Sequence, residues 1–163
     1  MDGMKGFEFE LYFKNIPFVK NAFLSVVAVD QIPKVIPVRH FVICNLSPAH
    51  LSGSHWICIV RSDKDIIEIF NSLGSPNLDY IKNFLKFTKR LEIEYNEQQF
   101  QSQLSSTCGY FCIYFAIQRV INFDMPFEHL LEHIFELTPD TNEVSVVNFC
   151  TKLKNNQDIS LFD

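Results

Sequence analysis

The stretch QSQLSSTCGYFCIYFAIQRVI, residues 101–121, decides how this chain folds. From Cys108 to Ile121 it is apolar on nearly every side, which predicts a helix buried at the centre of the molecule. The residues before the helix, 96–107, are polar and rich in Gln and Ser, which is typical of an irregular connection. The other elements must therefore pack around a helix that begins at Cys108.

The remaining sequence predicts a sheet and further helices. Runs rich in β-branched and aromatic residues predict strands over residues 22–29, 40–46, 55–60, 65–70 and 91–95. The third and fourth are separated by a short turn and are expected to pair as a hairpin. Helical spacing predicts helices over residues 77–89, 127–137 and 143–154. We therefore expect a single domain over residues 1–163 of the α+β class, with a mostly antiparallel sheet packed on the buried helix.

Composition and charge exclude several classes of function. The chain has 163 residues, of which 47% are hydrophobic and 20% charged, so we expect a folded protein. Its net charge of −5 gives no strong case for DNA as a partner, because nucleic-acid binders normally carry a basic surplus. The longest apolar run, near Tyr110–Ile117, is too short to span a bilayer, and the N-terminus lacks the pattern of a secretory signal. No membrane partner is expected.

The five cysteines show no disulfide pattern. Their number is odd and no CxxC pair occurs, which excludes a zinc ribbon and a thioredoxin motif. We expect a reduced, intracellular protein. Cys44, Cys58 and Cys150 lie in apolar runs and are expected to be buried. Cys108 is the thiol whose position suggests chemistry.

Two segments at the predicted hairpin can bring a histidine to an amide. His55 lies where a loop meets the third strand, and Asn71 lies where the fourth strand ends. In an antiparallel hairpin the start of one strand faces the end of its partner, so the two side chains can meet. This arrangement predicts an imidazole that is oriented by an amide, as nucleophilic catalysis requires.

Cys108 and a glutamine can complete the site. A thiol at a helix N-terminus meets the positive end of the helix dipole, which predicts a lowered pKa. Gln101 is close enough in sequence to form an oxyanion hole with the backbone N–H of Cys108, although the residues alone also allow Gln99 or Gln103. In this interpretation the thiol attacks a carbonyl, the imidazole accepts and returns the proton, and Asn71 holds the imidazole.

These segments resemble a known group of cysteine proteases. HW at 55–56, FNSLG at 70–74 and QSQLSSTCGYFC at 101–112 occur in the order found in the adenovirus endopeptidase (adenain) family. Its relatives in Maverick/Polinton elements and the SUMO-specific Ulp proteases belong to the same wider group. The resemblance covers roughly residues 10–155, and the Gln-to-Cys spacing of adenain favours Gln101 over the alternatives. The order His, Asn, Gln, Cys is the reverse of papain's and excludes that family.

Asn71 departs from the group's pattern, which usually has Glu or Asp at this position. An amide can orient an imidazole, but it cannot stabilise an imidazolium by charge. Glu68 is the nearest acid, and its place three residues away along a strand puts it on the opposite face. We therefore expect Asn71 to orient His55 with a weaker thiolate–imidazolium pair.

Trp56 and Gly109 are the expected substrate-binding residues. In the family, the aromatic residue beside the histidine helps to form a narrow groove for glycine-rich substrates, and packing in the core is the alternative for Trp56. Gly109 would let a substrate backbone come close to the nucleophile. No metal is expected, because HLLEH at 129–133 matches a zinc pattern but lacks a third ligand with a motif around it.

The resemblance implies a function and its partners. It implies an adenain-like endopeptidase without a cofactor, which cuts capsid or core precursors of a virus or transposon at small or Gly-containing sites. The excess of 17 Phe over four Ala and four Arg indicates an AT-rich coding sequence, which fits such an origin. An activating peptide is a further expected partner, and the expected location is the host cytoplasm or nucleus, or the virion. Two alternatives stay open: an Ulp-type isopeptidase acting on ubiquitin-like C-terminal tails, and a catalytically weakened binding module.

Overall fold

Helix α4, Cys108–Ile121, is the central element of the fold, as the sequence predicts. The computed structural model describes residues 3–155. In this part of the chain the other helices are α1 Glu8–Phe13, α2 Pro17–Ala22, α3 Lys82–Leu85, α5 Phe127–Ile134 and α6 Pro139–Lys154. The strands are β1 Phe23–Ala28, β2 His40–Asn45, β3 Trp56–Asp63, β4 Ile66–Phe70 and β5 Glu92–Tyr95. Short 3₁₀ turns cover Val29–Gln31 and Asp79–Ile81.

The strands form one sheet in the order β1-β2-β3-β4-β5. The three central strands are antiparallel, as expected, whereas each edge strand runs parallel to its neighbour. A parallel pair needs a long crossover connection, and the chain provides residues 29–39 at one edge and residues 71–91 at the other. The sheet is therefore mixed, and the predicted α+β class with a sheet on a central helix is confirmed.

Both faces of the sheet are buried. The face against α4 carries a set of apolar side chains: Phe41, Ile43, Cys58, Val60 and Phe70. The other face packs under α3 and its 3₁₀ turn with Val42, Cys44, Ile57, Ile59, Ile67 and Ile69. Burial on both faces explains why the central strands are apolar at almost every position instead of alternating. Cys44, Cys58 and Cys150 are buried free thiols, as predicted.

The helix expected over residues 77–89 is much shorter in the structure. A 3₁₀ turn at Asp79–Ile81 leads into α3, which ends at Leu85. The hydroxyl and the backbone N–H of Thr88 both donate to the Leu85 carbonyl. These bonds replace the hydrogen bonds that would continue the helix beyond Leu85. A 3₁₀ turn also brings residues three apart onto one face, so the apolar spacing in this segment did not require a long helix.

The ends of the last two helices also differ from the expectation. Helix α5 ends at Ile134 rather than at residue 137, and the chain is extended at Phe135. Helix α6 begins at Pro139 rather than at residue 143, because proline suits the first turn of a helix. Within residues 3–155, no helix is long and apolar enough to cross a membrane.

A buried ion pair fixes α4 against the sheet. The Arg119 guanidinium donates from Nε to Glu68 Oε2 at 2.8 Å and from Nη2 to Oε1, and both side chains are 2% exposed. Its Nη1 donates to the carbonyls of Asn122 and Met125. Glu68 therefore points towards α4, and its carboxylate is committed to Arg119. The charges of Arg119 and Glu68 can both be buried only because they are paired.

We expect Glu68→Gln to destabilise the protein by about 3–5 kcal/mol, because it leaves the Arg119 charge buried and unpaired. Urea denaturation followed by circular dichroism measures this loss. The matched control is Asp124→Asn, which breaks the exposed ion pair between Arg39 and Asp124 and should leave the midpoint almost unchanged. Equal midpoints for the two variants would show that the buried pair does not hold α4 in place.

Candidate active site

His55 and Asn71 meet at one end of the β3–β4 hairpin. His55 immediately precedes β3, and Asn71 immediately follows β4. The antiparallel register, in which Cys58 lies opposite Phe70, brings these two positions together. Nε2 of His55 lies 2.8 Å from Oδ1 of Asn71, which is a hydrogen-bond distance. The structure thus joins the imidazole and the amide that the sequence predicts to interact.

A second donor fixes the orientation of the Asn71 amide. The backbone N–H of Leu73 also donates to Asn71 Oδ1, at 3.1 Å, so the oxygen of the amide is identified without reference to the histidine. An amide oxygen only accepts, so the proton of His55 is on Nε2. The other ring nitrogen, Nδ1, is then the basic one.

The backbone at Asn71 is held by a neighbouring side chain and a tight turn. The Asn96 side chain accepts from the Asn71 N–H at 3.0 Å and donates to the Asn71 carbonyl at 2.6 Å. Gly74 closes the turn with a φ of 66°, and a Cβ on it would lie 2.2 Å from the Glu97 carbonyl oxygen. Only glycine fits there, which explains the glycine in FNSLG.

An aromatic cluster anchors the residues that precede Asn71 and Gln101. Phe70 stacks on Phe115 of α4 with ring centroids 4.4 Å apart, and Phe100 stacks on Phe135 at 4.6 Å. Phe70 also stacks on Phe135, which joins the two pairs into one cluster. Asn71 and Gln101 therefore each follow a phenylalanine that is fixed in the core on the α4 side of the sheet.

Cys108 is the first residue of α4 and is 8% exposed. It lines the same cleft as His55 and Gln101. Burial raises the pKa of the Cys108 thiol, while hydrogen bonds from the backbone N–H groups of Trp56, Gly109 and Cys108 itself act in the opposite direction. The net direction corrects the expectation of a lowered pKa, because desolvation of the thiolate outweighs the helix N-terminus.

His55 is also shifted towards its neutral form. Burial lowers the pKa of the imidazole, and the hydrogen bond to Asn71 only partly opposes that shift. An amide has no charge with which to hold a proton on the ring. At neutral pH the resting site therefore contains a thiol and a neutral imidazole. This arrangement is suited to general-base activation of the thiol at the moment of attack.

Gln101 is 1% exposed and is held from both ends of its amide. Its Oε1 accepts from the Ser72 hydroxyl at 2.6 Å, and its Nε2 donates to the carbonyl and the hydroxyl of Ser105, each at 3.0 Å. It lines the cleft together with Cys108. To donate to an oxyanion, Nε2 must give up one of its two bonds to Ser105. Its catalytic role stays a prediction.

Trp56 and Gly109, the predicted substrate-binding residues, both contact the N-terminal segment of the chain. The indole Nε1 of Trp56 donates to the Met4 carbonyl at 2.9 Å. A Cβ placed on Gly109 would lie 2.9 Å from the Met4 Cβ, so Met4 occupies the space that the glycine leaves. Residues 3–6 line the cleft, which encloses about 750 Å³. A larger groove of about 1090 Å³ lies beside β5 and contains none of the predicted catalytic residues.

Several residues that support the site were not predicted from the sequence. Asn45 accepts from the N–H groups of Ser47 and Ser54 and so closes the loop that leads to His55. Asn96 and Ser72 hold Asn71 and Gln101, as described above. The available signal was an asparagine at the end of a predicted strand, as at Asn45, or directly after one, as at Asn96, because such side chains often bond to nearby backbone. Across residues 3–155, no group of three His, Cys, Asp or Glu is placed to hold a metal ion.

Comparison with known proteins shows a shared fold. No family model and no curated protein matches this sequence. The chain is similar to the ASFV pS273R protease, with a TM-score of 0.56 and 13% identity over 97% of this chain and 68% of that chain. It is also similar to the central domain of the uncharacterized Lpg1148 protein from Legionella pneumophila, with a TM-score of 0.54 and 13% identity over 95% of this chain and 99% of that chain.

At 13% identity, the similarity to these two structures shows the fold of this chain and does not show its family. It confirms the predicted α+β fold, which this chain shares with the ASFV pS273R protease. Neither similar structure shows the adenain or Polinton type.

We expect Asn71→Asp to raise the pKa of His55, because a carboxylate favours the imidazolium. An NMR titration of the imidazole measures the shift. The acid limb of any activity that needs neutral His55 should move to higher pH with it. The control is Asn77→Asp, which adds the same charge at an exposed position. An equal shift in both variants would show that Asn71 has no direct contact with the imidazole.

Proposed function

We propose that this protein is a cysteine endopeptidase of the Ulp-like group, with Cys108 as the nucleophile and His55 as the base. The observation that carries the proposal is the 2.8 Å hydrogen bond from His55 to Asn71, in a cleft that also contains Cys108 at the start of a buried helix. The arrangement has the nucleophile, the base and the orienting group that acyl transfer needs. The similarity to a protease fold supports the same class.

The first half of the reaction forms a thioester. Nδ1 of His55 accepts the thiol proton while Sγ of Cys108 attacks the substrate carbonyl, so the S–C bond forms and the carbonyl oxygen becomes an oxyanion. The backbone N–H of Cys108 and the Nε2 of Gln101 stabilise that oxyanion. When the intermediate collapses, the C–N bond breaks and the leaving amine takes the proton from Nδ1.

The second half releases the product. Nδ1 of His55 accepts a proton from water as the water oxygen attacks the thioester carbonyl, and the sulfur leaves and recovers the proton. Throughout both halves Asn71 keeps Nε2 protonated and the ring in place. Because it is neutral, Asn71 stabilises the transient imidazolium less than the usual acid would, and we expect a modest turnover rate.

The finer proposal is an adenain-like enzyme that matures structural precursor proteins of a virus or virus-like transposon, inside the host cell or the virion. It rests on the resemblance of the His, Asn, Gln and Cys segments and on the Gln-to-Cys spacing. The proposed cleavage sites contain small residues or glycine. Protein substrates follow from the class of enzyme.

One observation favours an Ulp-type isopeptidase as the second candidate. Leu51 and Leu104 lie on the two loops that lead to His55 and Cys108, and their side chains are 58% and 99% exposed. Exposed apolar residues beside a cleft suit contact with the folded body of a protein substrate. An Ulp-type enzyme would dock a ubiquitin-like protein there and cut its C-terminal tail.

A substrate panel tests the proposal. We expect fluorogenic peptides with glycine or another small residue at the cut to be hydrolysed, and Cys108→Ala to lower the rate by about 1000-fold or more. Ubiquitin-like fusion proteins in the same panel distinguish the two candidates: preferential cleavage of these fusions identifies the isopeptidase.

The control for the loss of a thiol is Cys150→Ala. Cys150 is a buried cysteine of α6 outside the cleft, so this variant should keep most of the activity. Hydrolysis that survives Cys108→Ala, or no hydrolysis of any member of the panel by the unmodified protein, would contradict the proposal.

A further inference from the structure

The N-terminal segment is built into the wall of the cleft. The Trp56 side chain contacts both Met4 and Gly6. Its indole Nε1 donates to the Met4 carbonyl at 2.9 Å, and a Cβ on Gly6 would lie 3.6 Å from the indole ring. The Trp56 ring also packs edge-on against Phe9 of α1, with centroids 4.9 Å apart. Trp56 therefore holds this segment as well as lining the cleft.

The segment is also fixed from the side of α1. The backbone N–H of Lys5 donates to the Glu8 carboxylate at 2.6 Å, and the Glu8 N–H donates to the Lys5 carbonyl at 3.0 Å. These bonds join the segment to the first turn of the helix. The backbone of this segment is thus held by Trp56 at Met4 and by Glu8 at Lys5.

The Met4 side chain packs against the first turn of α4, at Gly109. A Cβ on Gly109 would lie 2.9 Å from the Cβ of Met4 and 3.1 Å from its sulfur, and Gly109 follows Cys108 in the chain. Met4 and Cys108 line the same cleft. The thioether therefore takes up space in this cleft beside Gly109, the residue that follows the proposed nucleophile.

We propose that Met4 is a specificity-determining residue, which limits the size of the group that can reach Cys108. In the proposed protease, on which this inference rests, Met4 admits glycine beside the cut bond and excludes bulky residues. The restriction is steric, because added atoms in a packed site force neighbouring groups out of position. Trp56 acts as the positioning residue that keeps Met4 there.

The experiment compares a small and a bulky thiol reagent on the full chain. Iodoacetamide and fluorescein maleimide both alkylate thiols, and Cys108 is 8% exposed whereas the other four cysteines are 0% exposed, so labelling reports on Cys108. We expect Met4→Ala to raise the rate with the bulky reagent about tenfold while the rate with iodoacetamide changes less than about twofold. Met4→Leu, which keeps the volume, is the matched control and should behave as the unmodified protein does.

A second variant tests the tether. Trp56→Phe removes the indole N–H but keeps an aromatic ring, so Met4 loses the hydrogen bond that fixes its carbonyl. We expect the rate with the bulky reagent to rise in this variant too. In peptide assays, Met4→Ala should raise cleavage before or after valine relative to glycine by about tenfold.

The ratio of bulky to small reagent separates this inference from the proposed function. A protein without peptidase activity would still show the ratio change in Met4→Ala if Met4 limits access. If the ratio is the same in Met4→Ala, Met4→Leu and the unmodified protein, the inference is wrong, even if the peptides are cleaved.

Discussion

The burial of α4 is the constraint on which the rest of this structure depends. A helix that is apolar on nearly all sides has to be covered completely, and the sheet, α2, α5 and α6 all pack around it. Its one buried charge, Arg119, is tied to Glu68 on β4. The apolar packing and this ion pair together fix the helix relative to β3 and β4. The first residue of the helix, Cys108, is therefore placed at the end of the hairpin where His55 and Asn71 meet.

The chemistry of the site follows from amides rather than carboxylates. Asn71 is fixed by the Leu73 N–H and by Asn96, so it presents an oxygen to His55 in one orientation. This fixes the tautomer of the ring but adds no charge. Burial then keeps both the thiol and the imidazole neutral. Such a site activates its nucleophile during the reaction instead of storing an ion pair, and this is the physical consequence of asparagine at that position.

The elements with long apolar runs were predicted correctly from the sequence. Helix α4 is too long and too apolar to be anything but a buried helix, and two short apolar runs joined by a turn favour the β3–β4 hairpin. The contact between His55 and Asn71 follows from that hairpin. The short α3 was not predicted, since residues three apart serve a 3₁₀ turn as well as a helix. The raised pKa of Cys108 was missed because burial depends on distant segments. For the same reason no pattern around Trp56 indicates that Met4, far away in the chain, would lie against it.

If His55 activates Cys108, the rate at which iodoacetamide alkylates Cys108 at neutral pH depends on the imidazole. His55→Gln keeps a polar side chain in the cleft but removes the base. We expect Cys108 to react at least about tenfold faster than Cys150 in the unmodified protein, and His55→Gln to slow the alkylation of Cys108 by about tenfold or more. If Cys108 reacts no faster than Cys150, or at the same rate in His55→Gln, His55 does not activate Cys108.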